Sequence, residues 1–186
     1  MNVSADLDRR FRAAAAAAGL LDVAYDVAPS PIGDLLVAAT DRGLCQIAFD
    51  PDEAADRLAR VFGRRVLRVP SRLDDTRRQL DEYFEGRREA FELEPDVRLL
   101  PAFQQLVLAE LARVPYGQVT TYGALAARIG RPRAARAVGG ALNRNPIPIV
   151  LPCHRVVGAN GSLTGYAGGL DVKQKLLELE HVTIGA

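Results

Sequence analysis

A thiol, an imidazole and a guanidinium follow one another at Cys153, His154 and Arg155, within the pentapeptide Pro-Cys-His-Arg-Val. A thiol becomes a strong nucleophile only as the thiolate, and neighbouring basic or cationic groups favour that form. The pentapeptide therefore indicates an activated cysteine that attacks an electrophile. Two alternatives stay open: Cys153 is a buried structural cysteine, and His154 is a core histidine with satisfied hydrogen bonds.

A carboxylate near the end of the chain could complete this set. Glu180 lies on the last predicted helix, where it could orient the imidazole of His154 as the acid of a catalytic triad does. The alternative is a glutamate at a helix end that is simply solvated. Because adjacent residues of a strand point to opposite faces, a direct hydrogen bond between Cys153 and His154 would need a turn or a bridging water.

The pentapeptide lies in a strongly basic part of the chain. Residues 111–170 contain seven arginines and no Asp or Glu, which gives a formal charge of +7. Because the whole chain carries +1, the remainder must carry −6. The seven are Arg113, Arg128, Arg131, Arg133, Arg136, Arg144 and Arg155. A basic surface without acids favours contact with a polyanion such as DNA.

Two short helices are predicted inside this basic stretch. Thr120 or Thr121 caps the first, which ends at Gly130, and Pro132 starts the second. Two short helices joined by a few residues are typical of a helix-turn-helix. The second helix combines arginines with alanines and glycines, whose small size would let its backbone approach a DNA groove. The alternative is that its alanines pack against another helix of the same domain.

The bulk properties indicate an ordinary globular chain. With 186 residues, 48% hydrophobic and 25% charged, it can form one domain or two small ones. No apolar run approaches the roughly 20 residues that span a bilayer. The two cysteines, Cys45 and Cys153, lie far apart, which argues against a disulfide framework and for a reducing cytoplasm. Zinc-ligand spacings are missing, so we expect no metal and no cofactor.

Between residues 23 and 95, turn residues separate three predicted strands and two predicted helices. The strands Val23–Ala28, Leu35–Thr40 and Leu44–Phe49 are separated by Pro- and Gly-containing turns and predict an antiparallel meander. The two helices follow Pro51 and Ser71. Later in the chain, helices are predicted after Pro101 and from Asp171 to His181. A helix from Ala5 to Ala18 would precede them all.

Several motifs, taken in order, resemble the O6-alkylguanine-DNA alkyltransferases, also called methylated-DNA–protein-cysteine methyltransferases. The strong matches are Pro115-Tyr116-Gly117 with Tyr122, Arg136 to Leu142, Asn145-Pro146, Ile149 to Val156, Gly165 to Gly169, Lys173 and Glu180. Weaker matches are Ser30 to Gly33 and Gln79 to Gly86.

The resemblance implies an α/β (α+β) fold in two parts. Residues 23–95 would form an RNase H-like domain, an antiparallel sheet with helices. Residues 101–186 would form a mostly helical DNA-binding alkyltransferase domain with a winged-helix-like helix-turn-helix. Residues 1–22 would be a helical extension. The resemblance further implies an intracellular monomer that acts on double-stranded DNA without a membrane or an obligate protein partner.

The resemblance also implies that the protein repairs damaged DNA directly and that each protein molecule reacts only once. The damaged guanine is flipped out of the duplex, and Cys153 accepts the alkyl group from its O6 atom, with O4-alkylthymine as a further substrate. His154 would act as base through a water, and Glu180 would hold the imidazole. Asn145 would brace the active-site turn. Tyr122 would donate a proton toward guanine N3, so that the base leaves neutral.

Further roles follow from the same resemblance. Arg136 would enter the minor groove and fill the space of the flipped nucleotide. The rest of the DNA-contacting face would be Arg133, Ala134, Ala135, Ala137 and Gly139. The substrate pocket would be formed by Val156, Tyr166, Ala167 and Lys173.

Two rival functions use the same residues. One is a non-catalytic protein that binds damaged DNA; the presence of Cys153 argues against it. The other is a cysteine hydrolase that uses Cys153, His154 and Glu180 and turns over repeatedly.

Overall fold

The computed structural model describes residues 10, 14–15, 18–19, 21–62 and 65–183. Two compact units are present. The first comprises the described residues up to Asp81 together with Leu93–Asp96, and the second comprises Glu82–Glu92 and the described residues from Val97 onward. Arg10, Ala14 and Ala15 are helical, while most of the helix predicted over residues 5–18 lies outside the described residues. The domain boundaries drawn at 23–95 and 101–186 stay a prediction.

The first unit is built on a four-stranded sheet in the order β3-β2-β1-β4. Strands β1 (Val23–Ala28), β2 (Leu35–Ala39) and β3 (Leu44–Ala48) pair antiparallel, as the turn residues between them predict. Strand β4 (Val66–Arg68) was not expected; it pairs parallel to β1, so the sheet is mixed.

Helix α1 (Pro51–Phe62) covers one face of this sheet. Its buried residues Ala54 and Leu58 belong to a core cluster with Val23, Leu36, Ala38, Cys45 and Ala48. The thiol of Cys45 donates a hydrogen bond to the carbonyl oxygen of Ala38 at 3.3 Å. Burial raises the pKa of Cys45 to about 12, so this cysteine is a protonated core residue.

A 3-10 turn (Pro70–Leu73) leads into helix α2 (Asp74–Phe84). The helix starts two residues later than a cap at Ser71 would predict, because the chain first forms the tighter turn opened by Pro70. Farther along the chain, Leu44 of β3 forms a parallel bridge with Pro95. The hydroxyl of Thr40 donates to Asp96 at 2.7 Å, which fixes this returning segment to the first unit.

The second unit is mostly helical, as the sequence predicts. Its helices are α3 (Ala102–Leu111), α4 (Tyr122–Arg128), α5 (Ala135–Asn143) and α6 (Leu170–Leu179). Helices α4 and α5 pack against each other and also against α3. They form the predicted helix-turn-helix and confirm the α+β class. Helix α5 begins at Ala135 instead of Pro132, because residues 131–134 form a turn closed by a bond from the Ala134 amide to the Arg131 carbonyl.

A short parallel pair of strands joins the helix pair to the pentapeptide. Strand β5 (Thr120–Thr121) pairs with β6 (Val156–Val157). Helix α4 starts directly after β5, with the Thr121 hydroxyl accepting a bond from the Ala124 amide. Strand β6 starts directly after the pentapeptide's 3-10 turn. Because the pair is parallel, the Cys153 turn leads into its first rung, Thr120 with Val156, and Tyr122 follows its second rung, Thr121 with Val157. Within the described ranges, no helix is long and apolar enough to cross a membrane.

Candidate active site

Asn145 closes the turn that carries Cys153. Its side-chain amide donates to the carbonyl oxygen of Leu151 at 2.8 Å, and its Oδ1 accepts from the amide of Ile147 at 3.1 Å. Within this turn Ile149 is buried and has a φ of 75°. A β-branched residue in this left-handed region is strained by about 1–3 kcal/mol, so surrounding contacts must hold it there. The bonds of Asn145 supply such contacts.

The thiol of Cys153 is buried at the end of this turn. The Asn145 amide donates to Sγ at 3.2 Å. Burial raises the pKa of Cys153 to about 11, although the Asn145 hydrogen bond and the charge of Lys173 act to lower it. The resting protein therefore holds a protonated thiol at neutral pH. The sequence alone suggested that the neighbouring His154 and Arg155 favour the thiolate; in the structure both side chains bind Glu180 instead.

His154 and Glu180 form a fully buried pair. The Nε2 atom of His154 lies 2.8 Å from Oε1 of Glu180. Because the carboxylate is an acceptor, Nε2 carries the proton and Nδ1 is the unprotonated nitrogen. Among the described residues, Nδ1 has no hydrogen-bond partner. Burial lowers the pKa of His154, although Glu180 acts to raise it. The imidazole is therefore a neutral base with a free acceptor.

Arg155 fixes the orientation of Glu180 with a bidentate contact. Its Nε donates to Oε2 at 2.8 Å and its Nη2 to Oε1 at 2.9 Å, while its Nη1 donates to the Val114 carbonyl at 2.6 Å. Burial acts to raise the pKa of Glu180, but the hydrogen bonds and charges of His154 and Arg155 outweigh it and lower that pKa to about 2. The carboxylate is therefore charged at every pH near neutrality.

Tyr83 is a further donor to Glu180, and the sequence patterns assigned it no role. Its hydroxyl lies 2.7 Å from Oε1 of Glu180, and the side chain is fully buried. Burial and the carboxylate raise the pKa of Tyr83, so it remains a neutral donor. The Gln-Leu-Asp-Glu-Tyr-Phe motif contains this residue, but Tyr83 and Glu180 are 97 positions apart, which hides the contact from local sequence patterns.

A small pocket opens beside the thiol. It is lined by Tyr122, Gly139, Leu142, Asn143, Cys153, Gly165, Tyr166 and Ala167. Four of the predicted site residues, Tyr122, Gly139, Tyr166 and Ala167, thus meet Cys153 here. The Tyr122 hydroxyl lies 2.8 Å from the hydroxyl of Thr164, a residue that the sequence had not singled out.

The other two residues predicted for the pocket, Val156 and Lys173, do not line it. Val156 is fully buried in β6. Lys173, on α6, is also fully buried, and its Nζ donates to the carbonyl oxygens of Val156 at 2.6 Å and Thr164 at 3.1 Å. Lys173 therefore links the backbones of Val156 and Thr164, and Val156 is a core residue of β6. Desolvation lowers the pKa of Lys173, while the nearby Cys153 acts to raise it.

Helix α5 contributes both to the pocket and to an exposed basic surface. Val138, Ala141 and Leu142 face the core, whereas Arg136 and Ala137 are exposed and Ala134, Ala135 and Gly139 are half-buried. The exposed Arg133 precedes the helix and lines an open groove with Arg131, Pro132 and Ala134. The predicted DNA-contacting residues thus lie together at one helix. Arg155 differs from these exposed arginines of the basic stretch, because it is buried against Glu180.

In the part of the chain that the structure describes, no group of three or more His, Cys, Asp or Glu side chains is placed to hold a metal ion. His154, Arg155 and Tyr83 are instead bonded to Glu180, and the thiol of Cys153 is bonded to Asn145. The arrangement is that of a buried nucleophile with an adjacent neutral base.

Both parts of the chain match one protein family. Residues 102–182 match "6-O-methylguanine DNA methyltransferase, DNA binding domain", and residues 23–97 match "6-O-methylguanine DNA methyltransferase, ribonuclease-like domain". The chain therefore belongs to the 6-O-methylguanine DNA methyltransferase family.

Individual relatives match along most of their length. The methylated-DNA–protein-cysteine methyltransferase of Methanosarcina barkeri is 42% identical over 84% of this chain and 96% of its own. Among solved structures, the O6-methylguanine methyltransferase of Mycobacterium tuberculosis superposes with a TM-score of 0.73 at 39% identity, over 85% of this chain and 92% of that one. The M. tuberculosis OGT in complex with DNA also superposes with a TM-score of 0.73, at 40% identity, over 84% of this chain and 92% of that one.

Proposed function

We propose that this protein repairs DNA directly, by moving the alkyl group of O6-alkylguanine irreversibly onto the sulfur of Cys153. One observation carries the proposal. Helix α5 lines the pocket of Cys153 with Gly139, Leu142 and Asn143, and the same helix exposes Arg136. The same helix therefore carries a residue that contacts DNA and forms part of the pocket that receives the base.

The damaged base must leave the duplex to reach Cys153. The thiol is buried, and the O6 atom of a stacked, paired guanine is not accessible to it. The small residues Ala134, Ala135, Ala137 and Gly139 let the α5 backbone approach the minor groove, while Arg136 occupies the space that the flipped nucleotide leaves. Arg133 and Arg131 contact phosphates, which contributes affinity without sequence preference.

The chemical step is a displacement at the alkyl carbon. The bond from Sγ of Cys153 to that carbon forms as the bond to O6 breaks. The thiol proton goes through a water to Nδ1 of His154, which Glu180 keeps unprotonated by holding Nε2–H. Tyr122 donates its proton to guanine N3, so that a neutral base leaves. His154 then releases the thiol proton to water and Tyr122 regains a proton from water, so that in net terms one proton passes from the thiol to the guanine.

The raised pKa of Cys153 makes this base assistance necessary, since the resting thiol is protonated. Asn145 stabilises the developing thiolate through its bond to Sγ. Arg155 and Tyr83 hold the Glu180 carboxylate in position. The product is a thioether without a good leaving group, so water cannot regenerate the thiol and each molecule acts once.

The proposal extends to the setting of the reaction. The protein acts as a monomer in the cytoplasm, requires no cofactor or protein partner, and accepts O4-alkylthymine as a second substrate. The first domain covers residues 23–95 and the catalytic DNA-binding domain covers residues 101–186.

The stoichiometry of transfer tests the proposed function. The protein is mixed with a roughly tenfold excess of a duplex that contains O6-methylguanine with a labelled methyl group, and the label on protein is counted over time. We expect a plateau at one methyl group per protein molecule. A protein that only binds damaged DNA would give no transfer, and a hydrolase would continue to release label into solution; either result contradicts the proposal.

Replacing Arg136 with alanine is expected to slow transfer from duplex DNA about tenfold or more, because flipping a base costs a few kcal/mol that Arg136 offsets. Reaction with free O6-benzylguanine, which needs no flipping, should change less than twofold. Single-turnover rates on both substrates check this. The control is Arg87→Ala, at an exposed arginine that binds Glu85 outside the basic stretch. Equal losses of Arg136→Ala on the two substrates would contradict the role.

A further inference from the structure

We propose that the hydroxyl of Thr164 is a positioning group for the reaction: it donates a hydrogen bond to the phenolic oxygen of Tyr122 and so directs the Tyr122 proton at N3 of the flipped guanine. This inference rests on the proposed function and adds a residue to it. It begins from the 2.8 Å contact between the two hydroxyl oxygens.

Tyr122 and Thr164 are held to the same strand by independent contacts. Tyr122 follows β5, whose Thr120 and Thr121 pair with Val156 and Val157 of β6. The carbonyl of Thr164 accepts a bond from Nζ of Lys173, and the same Nζ donates to the carbonyl of Val156 in β6. The buried lysine thus fixes the Thr164 backbone to the strand that also fixes Tyr122, so the hydroxyl contact is set by rigid supports.

The direction of the hydrogen bond follows from the number of protons. The Tyr122 hydroxyl has one proton and can donate it to one acceptor at a time. To donate to the base, it must act toward Thr164 as an acceptor. The Thr164 hydroxyl rotates freely about its C–O bond and can supply that donor. A phenol that accepts one hydrogen bond is polarised and donates the next one more strongly.

The ring of Tyr122 faces Gly139 of helix α5. A Cβ added at Gly139 would lie 3.6 Å from Cδ1 and 3.7 Å from Cε1 of Tyr122, which is ordinary van der Waals distance. The glycine therefore leaves room for a methyl group between the helix and the ring. The O–H of Tyr122 can rotate about its C–O bond, and Thr164 is the group that determines where this proton points.

The chain offers matched variants for the test. Thr164→Val keeps the shape of the side chain and removes the hydroxyl, and Thr164→Ser keeps the hydroxyl. Each is compared with the unaltered protein in single-turnover transfer from two duplexes. One contains O6-methylguanine, and the other contains O6-methyl-3-deazaguanine, in which a C–H replaces the N3 acceptor.

On O6-methylguanine we expect Thr164→Val to react about 5- to 10-fold more slowly, the effect of losing one hydrogen bond, and Thr164→Ser to stay within twofold. On the 3-deaza base, Thr164→Val and the unaltered protein should react at the same rate, because no acceptor remains for Tyr122. Equal slowing by Thr164→Val on both bases, or no slowing on either, would overturn the inference. Failure of the proposed function is a separate outcome: the unaltered protein would then transfer no methyl from O6-methylguanine.

Discussion

Cys153→Ala is expected to lose methyl transfer from O6-methylguanine DNA completely, while Cys45→Ala keeps the rate of the unaltered protein. Cys153 lines the pocket, and the Asn145 amide donates a hydrogen bond to its Sγ. Cys45 is buried in the core of the first unit, and its pKa of about 12 keeps it protonated. The measurement is the amount of labelled methyl group on protein after incubation with a labelled duplex.

The two variants control for each other, since each removes one of the two thiols of the chain. Both proteins should unfold at temperatures well above the assay temperature, which circular dichroism checks. Transfer to the Cys153→Ala variant at the rate of the unaltered protein would show that another residue accepts the alkyl group. Loss of transfer in folded Cys45→Ala would give the first unit a chemical role that its buried thiol does not indicate.

Glu180→Gln is expected to slow transfer by on the order of 10²–10⁴-fold, the usual contribution of general acid–base catalysis. The amide has no charge to hold His154 with its proton on Nε2, so Nδ1 ceases to be a reliable base. The substitution also leaves Arg155 buried beside a neutral group, which should lower the free energy of unfolding by about 3–5 kcal/mol. Single-turnover rates and denaturant unfolding measure the two effects separately.

The matched control is Glu178→Gln, two residues earlier on α6. The side chain of Glu178 is exposed and accepts a hydrogen bond from Gln174 at 2.8 Å, so its replacement should leave both rate and stability unchanged. The assay temperature must lie below the thermal unfolding transition of the Glu180→Gln variant, so that a low rate reflects the chemical step in folded protein. A Glu180→Gln rate within threefold of the unaltered protein would contradict the proposed base.

Local sequence signals predicted the elements whose ends are marked by turn or cap residues. The prolines and glycines around β1, β2 and β3 indicated an antiparallel meander, and Thr121 marked the start of α4. Strand β4 had no such signal. Its three residues, Val66 to Arg68, are half-buried or exposed and pair parallel with β1, a contact between segments more than 40 residues apart.

In the candidate site, too, the sequence predicted roles within one short motif better than contacts between residues far apart in the chain. The type and order of Cys153 and His154 suggested the nucleophile and the base, because both lie in one short motif. The role of Arg155 depends on Glu180, 25 residues away, and the sequence grouped this arginine with a basic surface. Lys173 was expected in the pocket, but its long side chain instead reaches the carbonyl of Val156 behind it.

Tyr83 and Thr164 show which parts of the site local sequence patterns do not reveal. Each acts through a hydroxyl on a partner that is distant along the chain, Glu180 for the first and Tyr122 for the second. Tyr83 lies within a motif, but neither a motif nor a periodic pattern indicates the partner that either hydroxyl contacts. Only the folded arrangement brings the two hydroxyls to the carboxylate and to the phenol.

The most direct test of the central claim is to locate the transferred group in the unaltered protein. After reaction with a duplex that carries a labelled O6-methylguanine, the protein is digested and its peptides are mapped by mass spectrometry. The account predicts one labelled methyl thioether, on Cys153, and an unmodified Cys45. Label on Cys45 or on any other residue, or label found only in solution, would contradict it.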